Sequence, residues 1–230
     1  MVTSIPDRGR AAGFDPVVFD LDGTVVDTVE LMRDSFRYTV KKVLGSELPE
    51  SVMLAGVGQP LMLQMQALSP EHADELYDVY REYNHRRHDE LIRSYEGMQA
   101  VLESLKTAGR RLGIVTSKSA DTTQMAFKAI GIGHLFEAIV TAGDTTEHKP
   151  SPVPVQLCVQ RLGGGHGIYI GDSPVDIRAG AAAGLATAAV LWGIFSKEDL
   201  LTARPDYVLA APQQIVSLCV HGQAPAEVEP

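Results

Sequence analysis

Cysteine is scarce in this chain, which has two, Cys158 and Cys219, among 230 residues. Two cysteines this far apart match neither a disulfide framework nor the paired spacing of a zinc site. Such sparse use is typical of proteins in a reducing compartment. We therefore expect two buried, unreactive thiols and a cytoplasmic protein.

Long apolar runs are also missing. The first fifteen residues lack the apolar stretch of a signal peptide, and no later run approaches the roughly 20 residues of a membrane-spanning helix. We expect no membrane contact. From about Gly222 to Pro230 the chain is rich in Pro, Ala and Glu, with little to bury, which predicts a flexible tail.

Basic residues are outnumbered by acidic ones, with 20 Lys and Arg against 29 Asp and Glu and a formal net charge of -9. The average field of such a protein repels nucleic acid and anionic membrane surfaces, so neither is expected as a partner. An anionic substrate must then be captured by local positive charges.

The apolar residues that are present form short runs ending in polar or glycine residues, as buried strands do. These runs are Pro16–Asp20, Arg111–Thr116, Ala138–Thr141, Gly167–Asp172 and Thr187–Leu191. From Gly97 onward, segments with helical spacing alternate with the runs. Alternation of this kind predicts an α/β fold with a Rossmann-like, doubly wound parallel sheet.

The segment from about Asp27 to Ser94 breaks this alternation, because it holds amphipathic stretches and no convincing strand. It predicts an α-helical cap domain inserted after the first strand. We therefore expect residues 1–27 and 95–221 to form the catalytic core, residues 28–94 the cap, and residues 222–230 the tail.

Polar residues stand at the carboxyl ends of the predicted strands, where open α/β sheets bind ligands. They are Asp20, Asp22, Thr116, Ser117, Lys149, Asp172 and Asp176. Each of them alone is explained by a turn, a helix cap or a solvated loop. Their joint occurrence, in order, at four strand ends is explained poorly in that way and indicates one catalytic site.

Carboxylates and a lysine in this arrangement are suited to phosphoryl transfer. A carboxylate attacks phosphorus only if cations offset its repulsion of the phosphate. Asp20 and Asp172 offer the hard oxygen ligands that Mg²⁺ prefers, and Asp176 is expected to orient metal-bound water. Lys149 is expected to neutralise Asp20 and the phosphate.

Asp22 follows Asp20 by two residues and is expected to act as general acid and base, protonating the leaving oxygen and then activating water. Gly23 permits a sharp backbone turn, and Thr116 with nearby backbone N–H groups can hold phosphate oxygens. The expected phosphate contacts are Leu21, Asp22, Gly23, Thr116, Ser117 and Lys149.

Four motifs stand in fixed order between Pro16 and Leu191: Asp20-Leu21-Asp22-Gly23-Thr24, Thr116, Lys149-Pro150 and Gly171-Asp172-Ser173-Pro174-Val175-Asp176. Together they resemble the motifs of the haloacid dehalogenase-like hydrolases. The helical insertion looks like the small cap of that family. The segments Tyr95–Met98 and Glu147–Pro152 are similar to the phosphoglycolate phosphatase-like branch.

The resemblance implies a Mg²⁺-dependent phosphatase that acts on a small phosphorylated metabolite through an aspartyl phosphate. It implies Asp20 as nucleophile, Asp22 as acid and base, and Thr116 and Lys149 as phosphate ligands. It also implies Mg²⁺ held by Asp20, Asp172 and the backbone carbonyl of Asp22. We expect a monomer or a weak homodimer.

Three other functions share some of these residues. In related phosphomutases an arginine of the cap loop grips a second phosphate, whereas the loop here carries Gln59, which is expected to face the substrate and favours hydrolysis. A haloacid dehalogenase needs neither Asp22 nor a metal site at Asp172. A phosphoacceptor signalling module leaves Asp22–Thr24 and the cap unexplained. Phosphoglycolate, pyrophosphate, a sugar phosphate and an intermediate of specialised metabolism all stay open as substrates.

Two features of the cap are interpreted as structural. The run His85–His88 is interpreted as a solvated helix face rather than a metal or anion site. Met53, Met62 and Met65 are interpreted as core residues rather than pocket residues.

Overall fold

The computed structural model describes residues 13–224 of the chain. The strands are β1 (Val17–Phe19), β2 (Val26–Asp27), β3 (Arg93–Ser94), β4 (Leu112–Val115), β5 (Ala138–Val140), β6 (Ile168–Gly171), β7 (Ala186–Val190) and β8 (Tyr207–Leu209). The α-helices are α1 (Val29–Leu44), α2 (Glu50–Met53), α3 (Leu61–Leu68), α4 (Ala73–Leu91), α5 (Met98–Thr107), α6 (Ala120–Ile130), α7 (Val153–Arg161), α8 (Pro174–Ala182), α9 (Lys197–Leu201) and α10 (Gln214–His221).

The described residues fold around a six-stranded sheet. Its strands lie in the order β5-β4-β1-β6-β7-β8, and every neighbouring pair is parallel. The chain runs outward from β1 on one side through β4 and β5, and then on the other side through β6, β7 and β8. The predicted doubly wound, Rossmann-like α/β fold is confirmed.

The strands are apolar throughout because helices cover both faces of the sheet. Val17 and Phe19 pack into one core with α5 and α10, while Val18 packs into the opposite core with α7 and α8. All three side chains are fully buried. Since successive side chains on a strand point to opposite faces, a strand buried on both faces needs a continuous apolar run.

The helices α1 to α4 form a helical lobe with a core of its own. Phe36 of α1 meets Tyr80 of α4 edge-on, with the ring centroids 4.9 Å apart. Met53 and Met65 are buried in this core, as predicted, and Met62 packs at its edge. The division of the chain into domains at residues 28 and 94 stays a prediction.

Some short elements were not predicted. The segment from Asp27 to Ser94 was expected to hold no strand, which is wrong at Arg93–Ser94, because β3 pairs antiparallel with β2 where the chain leaves the helical lobe. Both residues of β3 are exposed and polar, so no apolar run marks it. The elements β8, α9 and α10 are three to eight residues long and also escaped prediction.

The ends of the described region bear on two further expectations. Gly222 ends α10 in a left-handed conformation, and Gln223 N–H donates to the Ser217 carbonyl. The flexible tail expected from residue 222 onward stays a prediction. Residues 225–230 of that tail lie outside the described residues. Both cysteines are buried and free, as predicted. Within residues 13–224, no helix combines the length and the apolar character that crossing a membrane requires.

Candidate active site

The ends of three adjacent strands bring the predicted catalytic residues together. Asp20 follows β1, Thr116 follows β4 and Asp172 follows β6. Since β4 and β6 are the two neighbours of β1, the three side chains lie at one edge of the sheet. This edge is the carboxyl edge, at the point where the chain changes sides.

Lys149 joins two of the carboxylates. Its Nζ lies 2.8 Å from Asp20 Oδ1 and 2.7 Å from Asp176 Oδ1. The side chain of Lys149 is 2% exposed, and those of Asp20 and Asp176 are 7% and 0% exposed. An ion pair with so little solvent around it is screened weakly, so the ammonium acts strongly on both carboxylates.

Asp176 is held by the first turn of α8. Its Oδ2 accepts from the Ser173 N–H at 3.1 Å, while the Ser173 hydroxyl accepts from the Asp176 N–H, which makes a capping box. The Tyr169 hydroxyl lies 3.2 Å from Asp176 Oδ1. Asp176, which was expected to orient metal-bound water, is therefore held in place and in turn holds Lys149 in position.

Three buried carboxylates crowd together at this edge. Asp20, Asp172 and Asp176 each place one oxygen within 4.8 Å of the others. Burial, offset only in part by Lys149, raises the pKa of Asp20 to about 7, and the charges of Asp176 and Asp22 add to the rise. Burial and the charges of Asp20 and Asp176 raise the pKa of Asp172 well above its ordinary value. These carboxylate oxygens are hard donors, and the cations around them do not balance their negative charge. Such a site fits a divalent cation such as Mg²⁺.

Backbone and glycines fix the position of Asp172. Its Oδ2 accepts from the Ile194 N–H at 2.9 Å, and the Thr24 hydroxyl lies 3.4 Å from its Oδ1. Gly23 has a φ of +76°, and a Cβ on it would lie 2.2 Å from Asp172 Oδ2. A Cβ on Gly193 would lie 2.2 Å from Asp172 Cβ. Glycine at both positions allows the two loops to close around this carboxylate.

Asp22 is held by two groups that flank its carboxylate. The Thr28 hydroxyl donates to Oδ1 at 2.8 Å, and Lys118 Nζ makes a short contact with the same oxygen. The Asp22 side chain is 17% exposed, so it is more accessible to solvent than that of Asp20. Lys118 was missed from the sequence, although it follows Thr116-Ser117 directly at a strand end.

The loop after β4 connects the sheet to the helical lobe. Thr116 is buried, and its Oγ1 accepts from the Lys118 N–H at 3.1 Å. The Ser117 hydroxyl donates to the Gly58 carbonyl of the helical lobe at 2.6 Å. The Leu21 side chain is fully buried in the core, so only its backbone is available for a phosphate contact.

A cavity of about 210 Å³ lies between this edge of the sheet and the helical lobe. Asp20, Asp22 and Asp172 line it from the sheet, and Gln59 lines it from the lobe, where a substrate-facing residue was expected. Further lining residues come from the lobe and were missed from the sequence: Met32, Val57, Tyr77, Tyr80, Arg81, Asn84 and His85.

Two interpretations of the cap are corrected here. The run His85–His88 is not a single solvated face, because His85 lines the cavity and His88 is fully buried, whereas Arg86 is exposed. Four consecutive helical residues point in four directions, about 100° apart. Met62 also lines the cavity, so its role is not confined to the core. The spacing of Tyr77, Arg81 and His85, one helical turn apart, is the signal that marks the face.

Comparisons with known proteins agree with the fold and the motifs. Residues 17–190 match the family model described as haloacid dehalogenase-like hydrolase. The chain is 40% identical to pyrophosphatase PpaX of Bacillus velezensis over 84% of this chain and 90% of that protein.

Two solved structures share the fold. A haloacid dehalogenase-like hydrolase of Bacteroides fragilis has a TM-score of 0.80 at 22% identity, covering 88% of this chain and 99% of that one. A predicted phosphoglycolate phosphatase of Haemophilus somnus has a TM-score of 0.76 at 24% identity, covering 89% and 97%. The family match extends over more than half of the chain, and the chain therefore belongs to the haloacid dehalogenase-like hydrolases.

Proposed function

We propose that this chain is a Mg²⁺-dependent phosphatase that hydrolyses a small phosphorylated molecule through an aspartyl phosphate on Asp20. The proposal rests on the buried cluster of Asp20, Asp172, Asp176 and Lys149, of which Asp20 and Asp172 line the cavity. Asp22 stands above it in a more accessible position. Nucleophile, counter-charge and acid–base group thus converge where a phosphate can enter.

The carboxylates provide the ligands for the metal. Asp20, Asp172 and the backbone carbonyl of Asp22 would hold Mg²⁺, and Asp176 would keep Lys149 in place beside it. When bound, Mg²⁺ supplies positive charge that offsets the carboxylates and the phosphate oxygens. The raised pKa values of Asp20 and Asp172 support this assignment, because they reflect buried negative charge with too little compensation.

Asp20 and Asp22 divide the chemistry. An Asp20 oxygen forms a bond to phosphorus while the bond from phosphorus to the leaving oxygen breaks, and Asp22 gives that oxygen its proton. Asp22, now a carboxylate, takes a proton from a water molecule that attacks the phosphorus of the aspartyl phosphate, and the bond from phosphorus to the Asp20 oxygen breaks, which releases phosphate and restores both carboxyl groups. Lys149 neutralises charge on Asp20 and the phosphate throughout, and Thr28 and Lys118 keep Asp22 in position.

Pyrophosphate is the substrate that the relatives favour. The Bacillus velezensis relative is named a pyrophosphatase and matches most of this chain. The cavity of about 210 Å³ is smaller than the roughly 300–1,000 Å³ of pockets for drug-sized ligands, which agrees with a compact substrate. Hydrolysis, rather than transfer to a sugar, follows from the same relatives.

The helical lobe is proposed to act as the cap. The Ser117–Gly58 hydrogen bond ties it to the core, and a Cβ on Gly58 would lie 2.5 Å from Val175 Cγ2. Contacts this close let the lobe cover the cavity and exclude water during the reaction. A cytoplasmic location is part of the proposal, because the buried free thiols suit a reducing compartment. The oligomeric state, a monomer or a weak homodimer, stays a prediction.

Release of phosphate from pyrophosphate tests the function. With Mg²⁺ the enzyme should turn over, and with EDTA it should stop until Mg²⁺ is restored. Asp20→Asn should reduce kcat below about a hundredth of the wild-type value, a barrier rise of more than about 2.7 kcal/mol. The matched control is Asp78→Asn, at an exposed position on α4, which should leave turnover unchanged. Retention of more than a hundredth of the activity by Asp20→Asn would refute the nucleophile assignment.

A further inference from the structure

One face of α4 presents polar side chains to the cavity. Tyr77, Arg81 and His85 follow one another at intervals of four residues, and all three line the cavity. Residues four apart are neighbours on a helix surface, so the three side chains form a single stripe. The stripe faces the cavity from the lobe, on the side opposite the carboxylates of the sheet.

Arg81 is the charged member of this stripe, and it pairs with no carboxylate in the part of the chain that the structure describes. Arg86 pairs with Glu82 on the same helix, and Arg87 pairs with Glu90. Within residues 13–224, the Arg81 guanidinium instead meets Tyr77, with NH1 3.4 Å from the hydroxyl and the guanidinium 5.6 Å from the ring centroid. A guanidinium has five N–H donors, so most of its donors are available to a ligand.

Besides Arg81, the cavity is lined by a second cation, Lys118, and by a hydrogen-bonding group, His85. Burial lowers the pKa of His85, and the charges of Arg81, His88 and Lys118 lower it further against the opposing effect of Asp121. The lowered pKa favours the neutral imidazole, and among the residues that the structure describes its Nε2 is buried without a hydrogen-bond partner. Lys118 is already paired with Asp22. Arg81 is thus the uncompensated cation of this wall.

We propose that Arg81 binds an anionic group on the leaving part of the substrate, with His85 beside it as a hydrogen-bonding partner. The inference rests on the proposed function, because the phosphoryl group to be transferred must lie at Asp20, beside the buried Lys149. A planar guanidinium fits a phosphate or a carboxylate through two parallel hydrogen bonds. The structure therefore assigns substrates with negative charge at both ends.

The chemistry of the leaving step explains why a cation belongs there. As Asp20 bonds to phosphorus, the bridging P–O bond of pyrophosphate breaks, and its electron pair stays on the oxygen of the departing phosphate. That oxygen receives the proton of Asp22. A preorganised cation that faces the departing group stabilises the charge that develops on it. The cation favours both substrate binding and departure of the leaving group. Its removal should therefore lower kcat/KM.

Kinetics with three substrates test the proposal. Pyrophosphate carries a phosphate on its leaving side, phosphoglycolate carries a carboxylate, and p-nitrophenyl phosphate has no anion at that position of the intact substrate. Arg81→Gln should lower kcat/KM at least thirtyfold for the favoured substrate with an anionic leaving group, and reduce its selectivity over p-nitrophenyl phosphate at least tenfold. Arg81→Lys, which keeps the charge but loses the fork, should give an intermediate selectivity. Comparison of pyrophosphate with phosphoglycolate identifies the anion.

Controls separate this role from a structural one and from failure of the proposed function. Arg86→Gln removes an exposed arginine of the same helix and should leave kcat/KM for all three substrates unchanged. Equal losses on all substrates in Arg81→Gln, or no loss on any, would overturn the proposal. So would a wild-type enzyme that hydrolyses p-nitrophenyl phosphate but neither pyrophosphate nor phosphoglycolate, and in that case the phosphatase assignment still stands. Absence of Mg²⁺-dependent turnover on every substrate would instead refute the proposed function itself.

Discussion

Lys149 is the residue on which the charge balance of the site depends. It is a single ammonium between Asp20 and Asp176, and the three side chains are nearly free of solvent. Buried ion pairs give little net stability compared with apolar residues, but loss of one partner leaves an uncompensated charge. The motif order in the sequence indicated a lysine beside the nucleophile. The bond to Asp176 was not predicted, because it depends on the capping box of α8.

Lys149→Met should therefore destabilise the metal-free protein by about 3–5 kcal/mol, since Asp20 and Asp176 lose their shared counter-charge. Urea unfolding in EDTA measures this, and addition of Mg²⁺ should recover part of the loss. Lys106→Met is the matched control. It removes a lysine that pairs with Glu137 at side-chain exposures of 33% and 41%, and such a pair is worth about 0–1 kcal/mol. Equal destabilisation by the two substitutions would contradict the charge balance described here.

At the scale of elements, the sheet was predictable and the cavity wall was not. The run Val17–Phe19 is buried on both faces, so its apolar character is continuous and visible in the sequence. The wall depends on which face of α4 turns toward the sheet. The adjacent charges of His85–His88 suggest one solvated surface, whereas the helical period sends them in different directions. Packing against Phe36 of α1 decides the orientation of α4, and sequence spacing does not contain that information.

Gly23 offers a test of how tightly the loop after β1 closes on the proposed metal site. Gly23→Ala places a Cβ at a φ of +76° and 2.2 Å from Asp172 Oδ2, so the aspartate must move. We expect at least a hundredfold loss of kcat/KM and weaker binding of Mg²⁺. Gly45→Ala is the matched control, because φ is +64° there and no atom lies within 4 Å of the added Cβ. It should lose about 1–2 kcal/mol of stability and keep its activity. Full activity in Gly23→Ala would show that the loop is not closely fitted to Asp172.

At the scale of the whole molecule, the reaction lies where the sheet and the helical lobe meet. Asp22 extends from the end of β1, and its two partners come from either side: Thr28 precedes α1 of the lobe, and Lys118 belongs to the loop after β4. Asp20 and Lys149 form a buried ion pair in the same site. The proposed acid–base group is thus held by residues on both sides of the cavity, whereas the proposed nucleophile is held by Lys149.

This arrangement predicts that loss of Asp22 leaves Asp20 able to attack when the leaving group needs no proton. In Asp22→Asn, an aryl phosphate with an acidic phenol should still phosphorylate Asp20. Activation of water is lost, a contribution of about 10²- to 10⁴-fold, so the aspartyl phosphate should accumulate. An alkyl phosphate also needs leaving-group protonation and should give no accumulation.

Trapping that intermediate tests the central claim most directly. Asp22→Asn is mixed with the aryl phosphate and Mg²⁺, quenched in acid within one turnover, and digested for mass spectrometry. We expect close to one equivalent of hydroxylamine-sensitive phosphate on Asp20, and none when Asp20 is also changed to Asn. Phosphate on a different residue, or equal loss of phosphorylation for aryl and alkyl phosphates, would contradict the assignment of Asp20 as nucleophile and Asp22 as acid and base.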